Sequence, residues 1–223
     1  MKVFQKSFWK QFLISSAVLF ILCTLLSMLA HRPSSQKQAD AESYLSKLQD
    51  VEVQQIQELI EASEMRIALS KAKTDAERNR IKFTNTIILG DSIVEGLSDY
   101  HLLKQTQAIS TRGRRSDNCA KDIKKAAALS PKRVILHYGM NDLEYCRGNA
   151  KQFIKYYQGA VASVRKQMPN AEIYIHAILP IDSSAIRETP VYAKWKSFNQ
   201  ALKKLCQKEK ITFIDGGFLL RKR

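Results

Sequence analysis

From Ile81 onward, short β-branched runs alternate with segments of helical composition, and this alternation limits the possible folds more than any other feature of the chain. Thr86-Ile87-Ile88-Leu89, Val134-Ile135-Leu136-His137-Tyr138, Ile173-Tyr174-Ile175-His176-Ala177-Ile178 and Ile211-Thr212-Phe213-Ile214 read as strands. Gln107 to Ser110 is a weaker candidate for one more. Between them, Cys119 to Leu129, Ala150 to Gln167 and Tyr192 to Lys208 read as helices. Near-continuous apolar strands joined by helices predict an α/β domain with a parallel sheet covered on both faces, whose working residues sit in loops after the carboxyl ends of the strands. A chain of 223 residues holds one such domain and an attachment region. Its 45% hydrophobic content, with 8 Gly and 5 Pro, excludes disordered and fibrous classes.

The attachment region comes first. Residues 1–10 form a short basic tail with Lys2, Lys6 and Lys10, and no charge occurs from Gln11 to Ala30. An uncharged run of this length suffices for a bilayer core of roughly 30 Å and exceeds the roughly 7–15 apolar residues of a cleaved signal peptide. The best cleavage candidate, Met28-Leu29-Ala30, has a large residue where a small one is needed, and Leu22 fills the small-residue position before a lipoprotein-type Cys23. Residues 11–30 are therefore expected to be a single transmembrane signal anchor. Arg32, Lys37 and Lys47 nearly balance the preceding lysines, so positive-inside asymmetry barely decides the orientation. Residues 31–80 are expected to be a helical stalk: Asp40 to Lys82 lacks Gly and Pro, and Tyr44, Leu45, Leu48, Val51, Ile56, Leu59 and Ile60 recur at roughly helical spacing. A spacer helix or pair of helices and a short coiled coil making a homodimer are both open.

Three segments of the α/β region carry chemistry. The first strand ends in Gly90-Asp91-Ser92, which puts a serine hydroxyl and its N–H at the start of a helix over the sheet edge, a useful place for an acyl-transfer nucleophile. Taken alone the tripeptide also suits a helix cap. Ser110-Thr111-Arg112-Gly113-Arg114-Arg115 follows the weak strand, and Gly139-Met140-Asn141-Asp142 follows the next.

In this order and these strand contexts, the segments resemble the SGNH/GDSL hydrolases, in particular bacterial cell-envelope members, over a stretch from about Phe83 to the end. The resemblance implies a flavodoxin-like three-layer fold over residues 81–223 and a serine-type ester hydrolase. It carries the nucleophile onto Ser92 and the oxyanion hole onto the N–H groups of Ser92 and Gly113 and the amide of Asn141. Asp91 is expected to brace its turn. Family members place Asp-x-x-His after the last strand, whereas here Asp215 precedes Gly216, Gly217 and Phe218, and no histidine follows His176. A further segment carrying that pair, on a chain incomplete at its C-terminus, is the expectation; a natural inactive truncation is the alternative. His137 and His176 are expected to be packed strand residues, and His101 and His31 surface and membrane-flanking ones.

Charge and cysteines bear on partners. The chain carries a formal net charge of +15, and from Ile81 on 25 Lys+Arg stand against 12 Asp+Glu. No nucleic-acid motif or aromatic-interleaved basic strip accompanies them, so nucleic acid is not expected, whereas an anionic cell-wall polymer or a phospholipid headgroup is. Arg112, Arg114 and Arg115 either line the mouth of the site or form a solvated basic loop. Four scattered cysteines suit neither a disulfide scaffold nor a zinc ribbon, and no metal or cofactor is expected. Cys119 and Cys146 either pair outside the cytoplasm or remain buried thiols. The full expectation is a single-pass cell-membrane protein with its C-terminal domain extracytoplasmic, cleaving acyl, chiefly O-acetyl, esters of carbohydrate or another envelope component. An O-acyltransferase and a non-catalytic acyl-ligand-binding or assembly protein are the alternatives.

Overall fold

The computed structural model describes residues 16–28 and 35–216. By internal contacts the chain divides between Ser63 and Glu64 into two units. In the first, residues 16–28 are helical and exposed, while residues 11–15 and 29–30 of the expected span lie outside the described residues. Among the described residues no helix is long and apolar enough to cross a membrane.

Helix α1 (Ser35–Lys71) starts before the division and ends after it, and α2 (Asp75–Lys82) follows. Sequence composition allowed a pair of helices here but did not place the break. The break is a capping box: Thr74 Oγ1 accepts from the N–H of Glu77, and the Glu77 carboxylate accepts from the N–H of Thr74. A bond from the Lys73 N–H, with the one from the Thr74 N–H, holds the Glu77 carboxyl below its usual range.

The second unit is built on a five-stranded, all-parallel sheet: β1 (Thr86–Gly90), β2 (Ala108–Ser110), β3 (Arg133–His137), β4 (Glu172–His176) and β5 (Thr212–Ile214). Their spatial order is β2-β1-β3-β4-β5, the flavodoxin-like order. The weakest of the expected strands is therefore real, an edge strand paired to β1 through Ile88–Ala108 and Gly90–Ser110. The helices are α3 (Ser92–Asp99), α4 (Ala120–Ala127), α5 (Met140–Tyr145), α6 (Ala150–Gln167), α7 (Ser183–Glu188) and α8 (Trp195–Glu209).

The two faces of the sheet are unequally covered. On one, α4, α6 and α8 bury Ile123, Phe153, Tyr157, Val164, Phe198 and Leu202 against Leu89, Val134, Leu136 and Ile175. On the other, Ile88, Val94, Leu103 and Ala108 form a smaller core with Phe83, Leu97 and Ile135. Here the expected second helical layer consists, among the described residues, of α3 and the end of α2. Beside it a recess of about 190 Å³ opens between Phe83, Thr86, Arg133, Ile135, Tyr174 and Ile214.

Candidate functional site

All three motif segments lie at the carboxyl edge of the sheet, after β1, β2 and β3. Gly90 ends β1 where a Cβ would collide with the Val94 side chain and come within 2.8 Å of the His137 carbonyl, so α3 packs directly on the backbone. Asp91 is buried and caps α3, one carboxylate oxygen accepting from the Ile93 N–H at 3.0 Å. Burial raises its pKa, against the pull of that backbone bond. Ser92 follows as the first residue of α3 and is exposed. Its N–H belongs to the first turn, whose amides have no intrahelical partner.

Asn141 ties the three segments together. Its Nδ2 donates to the second oxygen of Asp91 at 3.0 Å and to the Arg114 carbonyl at 3.1 Å. The Thr111 N–H adds a bond to the Gly90 carbonyl at 3.3 Å. Gly113 sits in a turn at φ +69° with nothing near the position of a Cβ, so its backbone is open to solvent. Ser92, Gly113 and Asn141 thus belong to one constellation of loops. Both Nδ2 hydrogens of Asn141 are engaged within it, which makes the amide a strut between Asp91 and Arg114 as it stands.

Two buried carboxylates anchor this edge, and sequence reasoning missed both. Asp122 on α4 is fully buried and pairs with Arg114, whose Nε donates at 2.6 Å while Nη2 reaches Thr111 Oγ1 at 3.0 Å and Nη1 the Asn118 carbonyl at 3.2 Å. One guanidinium therefore closes the Gly113 turn on itself. A signal for it existed: Asp122 occupies the apolar stripe of α4 beside Ile123 and Ala126, where an acid requires a partner. Arg114→Gln, which strands that carboxylate, is expected to cost about 3–5 kcal/mol of stability in urea unfolding. The double variant Arg114→Met with Asp122→Leu should recover most of the loss.

Asp142, also fully buried, accepts from both the N–H of Ser116, at 3.1 Å, and its hydroxyl, at 2.5 Å, clamping the loop after β2 to α5. Burial pushes its carboxyl up to about 6 despite the bonds from Ser116. A carboxyl whose folded pKa lies above its unfolded value binds more protons in the native state, so stability increases as pH falls through 6 and towards 4. The gain is expected to reach about 3 kcal/mol. Unfolding titrations across this window should show it, and Asp142→Asn should flatten the slope.

The other arginines of the loop are also engaged. Arg112 pairs with Glu95 at 2.7 Å, and Arg115 pairs with Asp117 at 2.9 Å and stacks 3.8 Å above the Tyr145 ring. The loop is thus an internally neutralised structure. Arg112 is nevertheless solvated, its side chain 77% exposed, whereas the side chains of Arg114 and Arg115 are largely covered.

His137 and His176 end β3 and β4 side by side, with ring centroids 4.7 Å apart. Burial, helped by His176, pushes His137 down to about 3, so it is neutral. His176 Nδ1 lies 2.8 Å from the Ala177 carbonyl. Both are sheet residues, none of the three loops contains a histidine, and His101 is exposed beyond α3. Cys119, Cys146 and Cys206 are buried free thiols, and burial pushes Cys119 up to about 12 and the other two to about 11.

No curated protein matches the chain. Among solved structures it is similar to a GDSL-like lipase from Bacteroides thetaiotaomicron, at 17% identity and a TM-score of 0.47, covering 69% of this chain and 75% of that one. It is also similar to a carbohydrate esterase of family 3 from Talaromyces cellulolyticus, at 17% identity and a TM-score of 0.42, covering 58% of this chain and 77% of that one. The profile of the GDSL-like lipase/acylhydrolase family matches residues 88–223, a stretch that begins in β1 and takes in every loop of the constellation. The chain belongs to the GDSL-like lipase/acylhydrolase family.

Proposed function

We propose that this protein is a serine-type ester hydrolase, held at the cell membrane by residues 11–30 with its α/β domain outside, and that it removes acyl groups, chiefly O-acetyl, from carbohydrate or another envelope component. The observation that carries the reading is the convergence on Asn141, which fixes the loops of Ser92 and Gly113 about one point while Ser92 remains exposed.

In this reading Ser92 Oγ attacks the ester carbonyl, its proton passes to a base, and the C–O bond to the alcohol breaks as the alcohol takes up a proton. Water then attacks the acyl-serine, releasing the carboxylic acid and restoring the hydroxyl. The N–H groups of Ser92 and Gly113 meet the negative charge on the carbonyl oxygen, and Asn141 joins them by yielding one of its two internal bonds. The three loops supply no histidine to act as that base.

Full engagement of the Asn141 amide favours a second reading, a pocket that binds an acylated ligand without turning it over. The two are separated with protein purified from its own cells and an O-acetylated polysaccharide. Acetate release that Ser92→Ala eliminates supports the hydrolase. Binding that survives Ser92→Ala, with no turnover by the parent, supports the pocket, and acetyl transfer to a sugar hydroxyl in place of release identifies a transferase.

A further inference from the structure

The positive charge of the α/β domain is concentrated on one side. The helices α4, α6 and α8, which lie side by side over one face of the sheet, carry ten exposed lysines, among them Lys121, Lys125, Lys155, Lys166, Lys203 and Lys204. The same helices contain two acids: Asp122 is buried against Arg114, and Glu209 is paired with Arg165 at 2.6 Å. Among the described residues none of the ten lysines has an ion pair, and the remaining exposed acids, such as Asp99, Asp117, Glu144 and Glu188, lie on other elements.

We propose that this helical layer docks on the surface of an anionic lipid bilayer. Three neighbouring helices about 10 Å apart, the longest about 27 Å, spread this charge across a layer three helices wide. A plane of charge suits a plane of headgroups better than the single line of phosphates of a linear polyanion, which a groove would hold. The cations are lysines, compact hydrated point charges suited to diffuse attraction, whereas bidentate recognition of a single phosphate would call for arginine. No large apolar side chain is exposed on these helices, so contact is peripheral and electrostatic, with no insertion. Ser92, Gly113 and Asn141 lie at the carboxyl edge of the sheet, the rim of this face, and docking leaves that edge open. The proposal does not depend on Ser92 chemistry, and its failure would leave the esterase reading intact.

The test is co-sedimentation of the full chain with vesicles of phosphatidylcholine alone and of phosphatidylcholine mixed with phosphatidylglycerol. The ratio of the two partition coefficients cancels the contribution of the apolar N-terminal run, which both vesicles share. A lysine near the surface contributes about 1 kcal/mol, so a ratio on the order of a hundredfold, equivalent to about three lysines engaged at once, is expected at low salt, falling towards one in molar salt. Replacing Lys121, Lys125, Lys155 and Lys204 by glutamine should lower it about tenfold, the other six lysines of the layer and the basic residues flanking the N-terminal run keeping it above one. Lys82→Gln with Lys104→Gln, which removes two charges from other surfaces, should leave it unchanged. All the substituted side chains are exposed, so thermal unfolding should not move. A ratio near one for the parent chain, an equal fall in both variants, or binding of soluble polyphosphate without any preference for anionic vesicles would overturn the proposal.

Discussion

Ser92→Ala is expected to lower kcat/KM for a short-chain ester by at least ~10³-fold in protein purified from its own cells, with the thermal midpoint unchanged. The structural part follows from position. Ser92 is exposed at the first turn of α3, and the cap that starts the helix belongs to Asp91, so alanine removes a hydroxyl without disturbing a core contact. The kinetic part follows from covalent catalysis, since without Oγ there is no acyl-enzyme and only direct attack by water, aided by binding and the oxyanion donors, is left. A loss confined to KM would assign Ser92 to binding.

Gly139→Ala is expected to cost about 3–5 kcal/mol of stability, combining backbone strain with overpacking. Gly139 has φ +139°, where side-chain-bearing residues are essentially absent, and an added Cβ would stand 2.6 and 2.7 Å from Cγ1 and Cδ1 of Ile178. Ile178 cannot retreat easily: it is buried, and Asn199 holds its N–H and its carbonyl, each at 2.8 Å. Gly139 also starts α5, its carbonyl accepting from the N–H of Leu143 at 3.1 Å, so any shift is transmitted to Asn141 and Asp142. A fall in the urea midpoint with unchanged slope checks the stability loss. For a domain of ordinary stability, such a loss leaves a measurable unfolded fraction.

What the sequence revealed and what it hid divide along physical lines. Four of the five strands were legible because each packs apolar residues on a buried sheet, which writes a β-branched run. β2 was faint because an edge strand of three residues needs only Ala108 against the small second core and Ile109 against the main one. The helical break at Ala72 and Lys73 was written in Thr74 and Glu77, a local spacing of three, but composition alone passes over it. Ser92, Gly113 and Asn141 could be found because motif order places them at one sheet edge. The clamp between Ser116 and Asp142 could not, because its partners are 26 residues apart and neither is unusual where it stands. Arg112, Arg114 and Arg115 read as free charge, since a one-dimensional count does not see Glu95, Asp122 and Asp117 folded against them. The excess of lysine was plain in the composition, whereas its gathering on one helical layer emerges only when α4, α6 and α8 lie together.

The central claim is that Ser92 is the nucleophile, and covalent trapping tests it most directly. Protein purified from its own cells is incubated with an activated alkyl phosphonate ester, digested, and its peptides are mapped by mass spectrometry. The account predicts a single phosphonyl adduct on the peptide carrying Ser92, absent from Ser92→Ala. An adduct on another residue that persists in Ser92→Ala, or hydrolysis of an ester by protein that forms no adduct at Ser92, would contradict it.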